Sequence, residues 1–186
     1  MKKMLCVDGN SIINRAYYGV RGLTARDGTP TNAIYGMINI ISKHVAEIKP
    51  DYFVVAFDVH APTFRHKMFA EYKAGRHATP PDLLSQFAPA KECLQAMGAH
   101  CVELSGYEAD DILGTYSRIC GENDVMTYIV TGDRDSLQLI NENTTVLLAT
   151  TGESVKYDAE AFRAKYGVDS SQFVDMKALM GDSSDN

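Results

Sequence analysis

Three short apolar runs in this 186-residue chain stop at or just before an aspartate. Met4–Val7 stops at Asp8, Tyr52–Phe57 stops at Asp58, and Met126–Val130 leads through Thr131-Gly132 to Asp133. None of the runs alternates apolar with polar residues. Unbroken apolar strands belong to parallel sheets that are covered on both faces, whereas half-exposed antiparallel strands alternate. The stretches between them have a different period. Residues 32–48 place Ile34, Ile38, Ile41, Val45 and Ile48 at helical spacing, residues 82–97 read as a second helix, and residues 108–120 read as a third with Ile112, Leu113, Tyr116 and Ile119 on one side. Cys101–Leu104 is a weaker strand and Val146–Leu148 a fifth, while residues 158–180 read as two short helices. This alternation predicts an α/β fold with a central, mostly parallel twisted sheet flanked by helices on both faces. Ligands of such sheets sit outside the carboxyl ends of the strands. Asp8, Asp58 and Asp133 are therefore expected to project into one crevice.

The length suits a single domain. Hydrophobic residues make up 45% of the chain, enough for a substantial core. No apolar run approaches the ~20 residues that span a bilayer. Met1-Lys2-Lys3-Met4 is followed by only Leu5-Cys6-Val7 before Asp8, too short a stretch for a secretory signal, so a cytoplasmic protein is expected; a monomer is expected as well. Cys6, Cys93, Cys101 and Cys120 lack the two-residue spacing of a zinc or redox motif and read as small buried hydrophobes.

More carboxylates gather elsewhere. Glu108, Asp110 and Asp111 open the 108–120 helix, Asp135 follows Asp133, and Asp182 and Asp185 close the chain. With Asp8 and Asp58 these make nine acids in five places. Taken singly, each is most simply a helix cap or a turn residue. Taken together they pose an electrostatic problem, because two such charges ~4 Å apart repel by roughly 4 kcal/mol at an effective dielectric near 20. A fold that brings several together needs a cation, and oxygen-only ligands select hard ions such as Mg²⁺ or Mn²⁺. So many acids suggest two ions, the arrangement that activates a water and clamps a phosphodiester. No Ser/His/Asp or Cys/His arrangement competes for the chemistry. His44, His60, His66, His77 and His100 are scattered and read as surface or loop residues.

From residue 59 to 81 the chain is polar and too long to be a simple connection. Within it Arg65, Lys67, Lys73 and Arg76 oppose only Glu71, with Phe64, Phe69 and Tyr72 interleaved. Cations with rings suit a passing single strand of nucleic acid, and a solvated loop with its aromatics tucked into the core is the alternative. Arg15, Tyr17 and Tyr18, just after Asp8, could reach the same phosphate or simply form part of a helix. A net charge of −6 argues against nucleic acid only if it is spread evenly. Taking the nine acids away leaves +3, and adding two divalent ions to the whole gives −2.

Seven motifs then carry a family resemblance. They are Val7-Asp8-Gly9-Asn10-Ser11, Phe57-Asp58, Thr63-Phe64-Arg65, Tyr72-Lys73-Ala74-Gly75-Arg76, Gly106-Tyr107-Glu108-Ala109-Asp110-Asp111, Thr131-Gly132-Asp133-Arg134-Asp135 and Gly181-Asp182-Ser183-Ser184-Asp185-Asn186. In order and across the whole chain, they resemble the 5′-nuclease domain of bacterial DNA polymerase I, which belongs with flap endonucleases and phage 5′-exonucleases in the wider PIN-like fold. The resemblance implies a structure-sensitive nuclease that removes 5′ flaps and RNA primers from DNA. It implies that Asp8, Asp58 and Asp110 hold a first metal, that Glu108, Asp111, Asp133 and Asp135 hold or surround a second, and that Asp182 and Asp185 act on it directly or through water. It places Lys73 and Arg76 in a basic arch over the site, where they steady the scissile phosphate, and Tyr72 against a base near the 5′ end. Arg15, Tyr17 and Arg65 join these as nucleic-acid contacts. In the family a helix–turn–helix segment that grips duplex follows the last acidic motif, so it would be expected after Asn186, and polymerase modules follow in longer members. A stand-alone exonuclease paralogue, a PIN-type ribonuclease, a non-catalytic binding module and a small-phosphate hydrolase are the competing readings. The long basic arch and the full acid set discriminate against the last three.

Overall fold

The computed structural model describes residues 1–59, 61–69, 71–73, 75, 78–150 and 153–181. The apolar runs become strands β1 (Lys2–Asp8), β2 (Tyr52–Phe57), β3 (His100–Glu103), β4 (Val125–Thr131) and β5 (Thr144–Ala149). Together with β6 (Ser154–Tyr157) they form one sheet in the order β3-β2-β1-β4-β5-β6. The first five strands are parallel and β6 runs antiparallel to β5. The chain builds outward from β1 through β2 to β3, then returns to the other side of β1 to lay down β4. The sheet therefore has its topological switch point between β1 and β4, where α/β folds open a ligand crevice.

Alternate side chains of β1 show why its sequence is unbroken. Leu5 and Val7 enter a core with α1 (Gly9–Gly19), α2 (Asn32–Ile48) and α5 (Phe87–Ala96), where Ile12, Ile13, Met37, Ile41 and Leu94 are fully buried. Met4 and Cys6 enter a second core on the opposite face, with Ile112 and Leu113 of α6 (Ala109–Glu122), Phe162 of α7 (Ala159–Tyr166) and Phe173 of α8 (Phe173–Met180). Each fully buried Leu, Ile or Phe is worth roughly 1.5–3 kcal/mol, so both faces of the strand contribute to stability. Helix α3 (Phe64–Met68) lies within the polar segment, and α4 (Pro81–Leu84) follows it.

Several expectations are corrected. Residues 82–97 form two helices, α4 and α5, instead of one. A continuous helix would drive the ring of Pro89 into the carbonyl of Ser85 and leave that carbonyl without its donor. The buried face of α2 is Ala33, Gly36, Met37, Ile41, His44 and Ile48, so Ile34, Ile38 and Val45 lie at its margin. Ile119 is exposed, and Ser117 and Cys120 complete the buried face of α6. Strand β6 was not anticipated because, as an edge strand with Val155 and Lys156 exposed, it has no apolar run. Arg15, Tyr17 and Tyr18 lie on the helix α1. The cysteines are free; Cys6 and Cys120 are buried, whereas Cys93 and Cys101 are half-buried. No described helix is long and apolar enough to cross a membrane.

The break between α4 and α5 has a use. Gln86 is 1% exposed. Its Oε1 accepts the Ala33 and Ile34 N–H groups at 2.8 and 3.2 Å, and its Nε2 donates to Asn32 Oδ1 at 3.0 Å. Thr31, at the start of α2, makes no side-chain cap bond, so Gln86 caps this helix from 53 residues away. Gln86→Ala would strand two buried donors and should cost about 2–3 kcal/mol, or roughly 5–10 °C in Tm for a chain of this size. Thermal unfolding followed by circular dichroism measures this, and a shift below about 1 °C would refute the capping role.

Candidate functional site

The switch point is tied together by short polar bonds. Asp8 ends β1 and caps α1, its Oδ1 accepting the Ser11 N–H at 2.9 Å. Its Oδ2 accepts the Thr131 hydroxyl at 2.9 Å, across to the end of β4. The Asp133 N–H donates to the same Thr131 oxygen at 2.9 Å, and the Gly132 N–H donates to Ser11 Oγ at 2.9 Å. A Cβ on Gly132 would stand 2.8 Å from Arg15 Nε and 2.9 Å from Ser11 Oγ, so any larger residue here would have to displace these side chains of α1. One strand over, Asp58 follows β2. Its N–H donates to Asn10 Oδ1 at 3.0 Å, and its Oδ1 accepts the Ala109 N–H at 2.7 Å, the first residue of α6. Asp58 thereby brings the start of α6 to the strand ends, and Asp110 with it.

These connections place Asp8, Asp58, Glu108, Asp110 and Asp133 around one crevice of about 1010 Å³, which Arg15, Tyr18 and Lys73 also line. The carboxylates sense one another. Burial pushes the Asp110 carboxyl up to about 7, helped by the charges of Asp8, Asp133 and Asp58 and opposed by Lys73. Burial likewise pushes Asp8 up to about 6 against its bonds from Ser11 and Thr131, with Asp58 and Asp133 adding to the rise. Among the described residues, no three acidic, histidine or cysteine side chains are gathered tightly enough to hold an ion as they stand. The donor set is nevertheless all oxygen, and its neighbouring charges add to the raised proton affinity of Asp8 and Asp110, which is the electrostatic demand that a hard cation meets.

The remaining predicted residues are distributed differently. Asp111 turns aside, accepting Arg65 Nη1 and Nη2 at 2.7 and 2.8 Å. That bond holds its carboxyl below the ordinary value. Asp135 pairs with Lys177 of α8, and its N–H donates to Asp133 Oδ1 at 2.9 Å. Neither Asp111 nor Asp135 lines the crevice. Asp182, Asp185 and Arg76 lie outside the described residues. Lys73 Nζ stands 2.8 Å from Glu108 Oε1, and the Tyr72 hydroxyl donates to Glu108 Oε2 at 3.1 Å. The polar segment thus reaches the crevice through Tyr72 and Lys73. Phe64 leans on Tyr107 with ring centroids 5.9 Å apart, whereas Phe69 is exposed. Tyr17 packs against the core, while Tyr18 faces the crevice.

Sequence reasoning overlooked Asn10, Ser11 and Thr131, which position Asp58, Gly132 and Asp8. Their signal was present, because each sits within three residues of a strand-end aspartate. It also misjudged His44. That ring is buried in the lining of the same crevice, with Nε2 2.9 Å from Ser154 Oγ, and burial lowers its proton affinity.

With this geometry in hand, the chain can be set beside known proteins. Residues 3–167 match the family profile described as "5′-3′ exonuclease, N-terminal resolvase-like domain". The chain is 42% identical to DNA polymerase I of Bacillus caldotenax over 187 residues, covering 100% of this chain and 21% of that protein. It therefore spans about a fifth of such relatives. Among solved structures, T5 5′-exonuclease with bound zinc ions superposes with a TM-score of 0.75 at 21% identity, covering 100% of this chain and 69% of that one. The bacteriophage T5 flap endonuclease in a complex with DNA and metal ions gives 0.72 at 20% identity, covering 97% and 67%. At that identity the likeness concerns the fold.

The electrostatics of the acids predict how stability responds to pH. Folded Asp8 and Asp110 hold their protons to about pH 6 and 7, while an unfolded aspartate titrates near 3.9. Their contribution to cation-free stability is thus full below pH ~4 and is lost as pH rises through ~7. Asp110→Asn should raise Tm in chelator at pH 8 by roughly 3–8 °C, or about 1–3 kcal/mol, and change it little at pH 4. Thermal melts at the two pH values read this directly; a lowered Tm at pH 8 would contradict the crowding of charge.

Proposed function

We propose that this chain, which belongs to the 5′-3′ exonuclease N-terminal resolvase-like domain family, is a divalent-metal-dependent, structure-sensitive 5′ nuclease. It hydrolyses phosphodiester bonds near the 5′ ends and flaps of DNA, and in RNA primers, during replication and repair. The observation that carries this reading is the convergence of Asp8, Asp58, Asp110 and Asp133 on the switch-point crevice, two of them with strongly raised proton affinity, opposite the cationic Lys73. A small-phosphate hydrolase would not need the arch that brings Lys73 and Tyr72 to that crevice.

When bound, two Mg²⁺ ions, replaceable by Mn²⁺, would supply an acidified water and positive charge beside the departing 3′-oxygen. Asp8, Asp58 and Asp110 would hold one ion; Glu108 and Asp133 would hold the other, with Asp182 and Asp185 directly or through water. Asp135 would steady Asp133 through the backbone bond they share. The chain's own groups do the rest. Lys73 and Arg76 bind and orient the scissile phosphate, and Arg15, at the crevice wall, meets a neighbouring phosphate. Tyr72 offers a ring for the base next to the cut. The substrate is a 5′ end or flap of DNA, delivered in the cytoplasm. The natural companion is a polymerase domain of the same parent chain.

Cleavage of a labelled 5′-flap oligonucleotide should require Mg²⁺ or Mn²⁺ and cease with chelator. Asp58→Ala and Asp110→Ala should each lower the rate by roughly 100-fold or more, beyond the effect of removing an outer-shell partner, with an unchanged circular dichroism spectrum. Unimpaired cleavage by either variant would overturn the assignment. Lys73→Ala should slow cleavage about 10²–10³-fold, the scale for losing one preorganised charge donor, while divalent-ion affinity stays within a few-fold. A wild-type rate would remove Lys73 from the mechanism.

A further inference from the structure

The base of the arch is fastened around the start of α6 at three points. The Phe64 N–H donates to the carbonyl of Gly106 at 3.1 Å. Gly106 holds a left-handed φ of 87°, a conformation that suits glycine. The Phe64 ring leans on Tyr107. The Arg65 guanidinium lies over that same Phe64 ring, 4.6 Å from its centroid. Its two Nη atoms then close a fork on the two oxygens of Asp111.

Such a fork fixes orientation as well as charge, because both planes must align. Asp111 Oδ2 also accepts the Glu108 N–H at 2.9 Å, so both of its oxygens are engaged. Arg65 Nη1 also lies 3.6 Å from Glu108 Oε2. The guanidinium is therefore committed to the start of α6, on its acidic side. Asp111, for its part, is absent from the crevice lining that Asp110 joins. Adjacent on one helix, these two acids face different tasks.

We propose that Arg65 and Asp111 are a positioning pair. They pin the arch to the first turn of α6 and so deliver Tyr72 and Lys73 to Glu108; Asp111 is not a metal ligand and Arg65 is not a phosphate contact. The effect on catalysis rests on the nuclease reading above. The mechanical role does not.

The test uses the whole chain with Asp111→Asn, Arg65→Gln, the double variant, and Asp110→Asn as control. Amide hydrogen exchange over residues 63–73 reads the position of the arch. Each single variant should speed exchange there by about tenfold or more, and the double variant should be no worse than the poorer single one, since the two residues act as a unit. Titration with Mn²⁺ alone should give Asp111→Asn an affinity within about twofold of the unaltered chain, and Asp110→Asn an affinity at least tenfold weaker. On the flap substrate both single variants should lower kcat and leave KM nearly unchanged. Tenfold weaker Mn²⁺ binding by Asp111→Asn would make it a ligand and overturn the proposal. So would Arg65→Gln with normal exchange, normal kcat and a raised KM, the signature of a phosphate contact. If Asp110→Asn bound Mn²⁺ normally, the nuclease reading would fall, and the exchange experiment would still decide the pair.

Discussion

A hydroxyl–carboxylate bond from Thr131 to Asp8 joins the ends of two neighbouring strands at the point where the sheet departs in opposite directions. Loops leave β1 and β4 toward different sides, so nothing in the backbone ladder closes the gap beyond their ends. The side chains close it. Thr131 is fully buried, and its oxygen both donates to Asp8 and accepts the Asp133 N–H. One hydroxyl therefore orients two carboxylates. Asp58 repeats the device one strand over by accepting a backbone N–H of α6. The acids meet because each is first a structural connector, and the bland capping role and the functional role coincide in the same atoms.

That coincidence explains the electrostatics. Hydrogen bonds lower the proton affinity of Asp8, yet burial and the neighbouring acids outweigh them. Among the described residues, Asp110 accepts only a long bond from the Ser136 hydroxyl, at 3.4 Å, and it rises further. The fold accepts this strain at one place and relieves it at the margin, where Arg65 takes Asp111, Lys177 takes Asp135, and Lys73 with Tyr72 takes Glu108. Among the described residues, charge is thus divided into an inner set that lies outside these ion pairs and an outer set that is paired. A net charge of −6 hides this division.

The strands were legible because burial on both faces leaves an unbroken apolar signature, and β6 was not, because an exposed edge leaves none. The strand-end rule located Asp8, Asp58 and Asp133 with no knowledge of contacts. It could not separate Asp110 from Asp111, since their difference depends on Arg65, 46 residues away. The partner of Asp135 is likewise 42 residues distant. His44 looked superficial because the hydroxyl it meets lies 110 positions along the chain. The split near residue 86 was readable in principle from Pro89, whose ring forbids the turn that a periodicity count assumes. Periodicity also placed the apolar stripe of α2 slightly off, because its buried face includes the small residues Ala33 and Gly36, and Gly36 lies close against Ala16 of α1.

The glutamine clasp at the start of α2 has a consequence in time. Helix α2 is finished by an atom that is synthesised 53 residues later. Until then its first turn can only fray into water, since a helix start without partners is costly to hold. The intervening chain includes β2 and the whole arch segment. Closing so long a loop is entropically expensive and rewarded only at the end. A ribosome making this chain therefore releases the arch segment before the first turn of α2 can be capped. The most basic segment of the chain is thus synthesised while the helix that precedes it still lacks its cap.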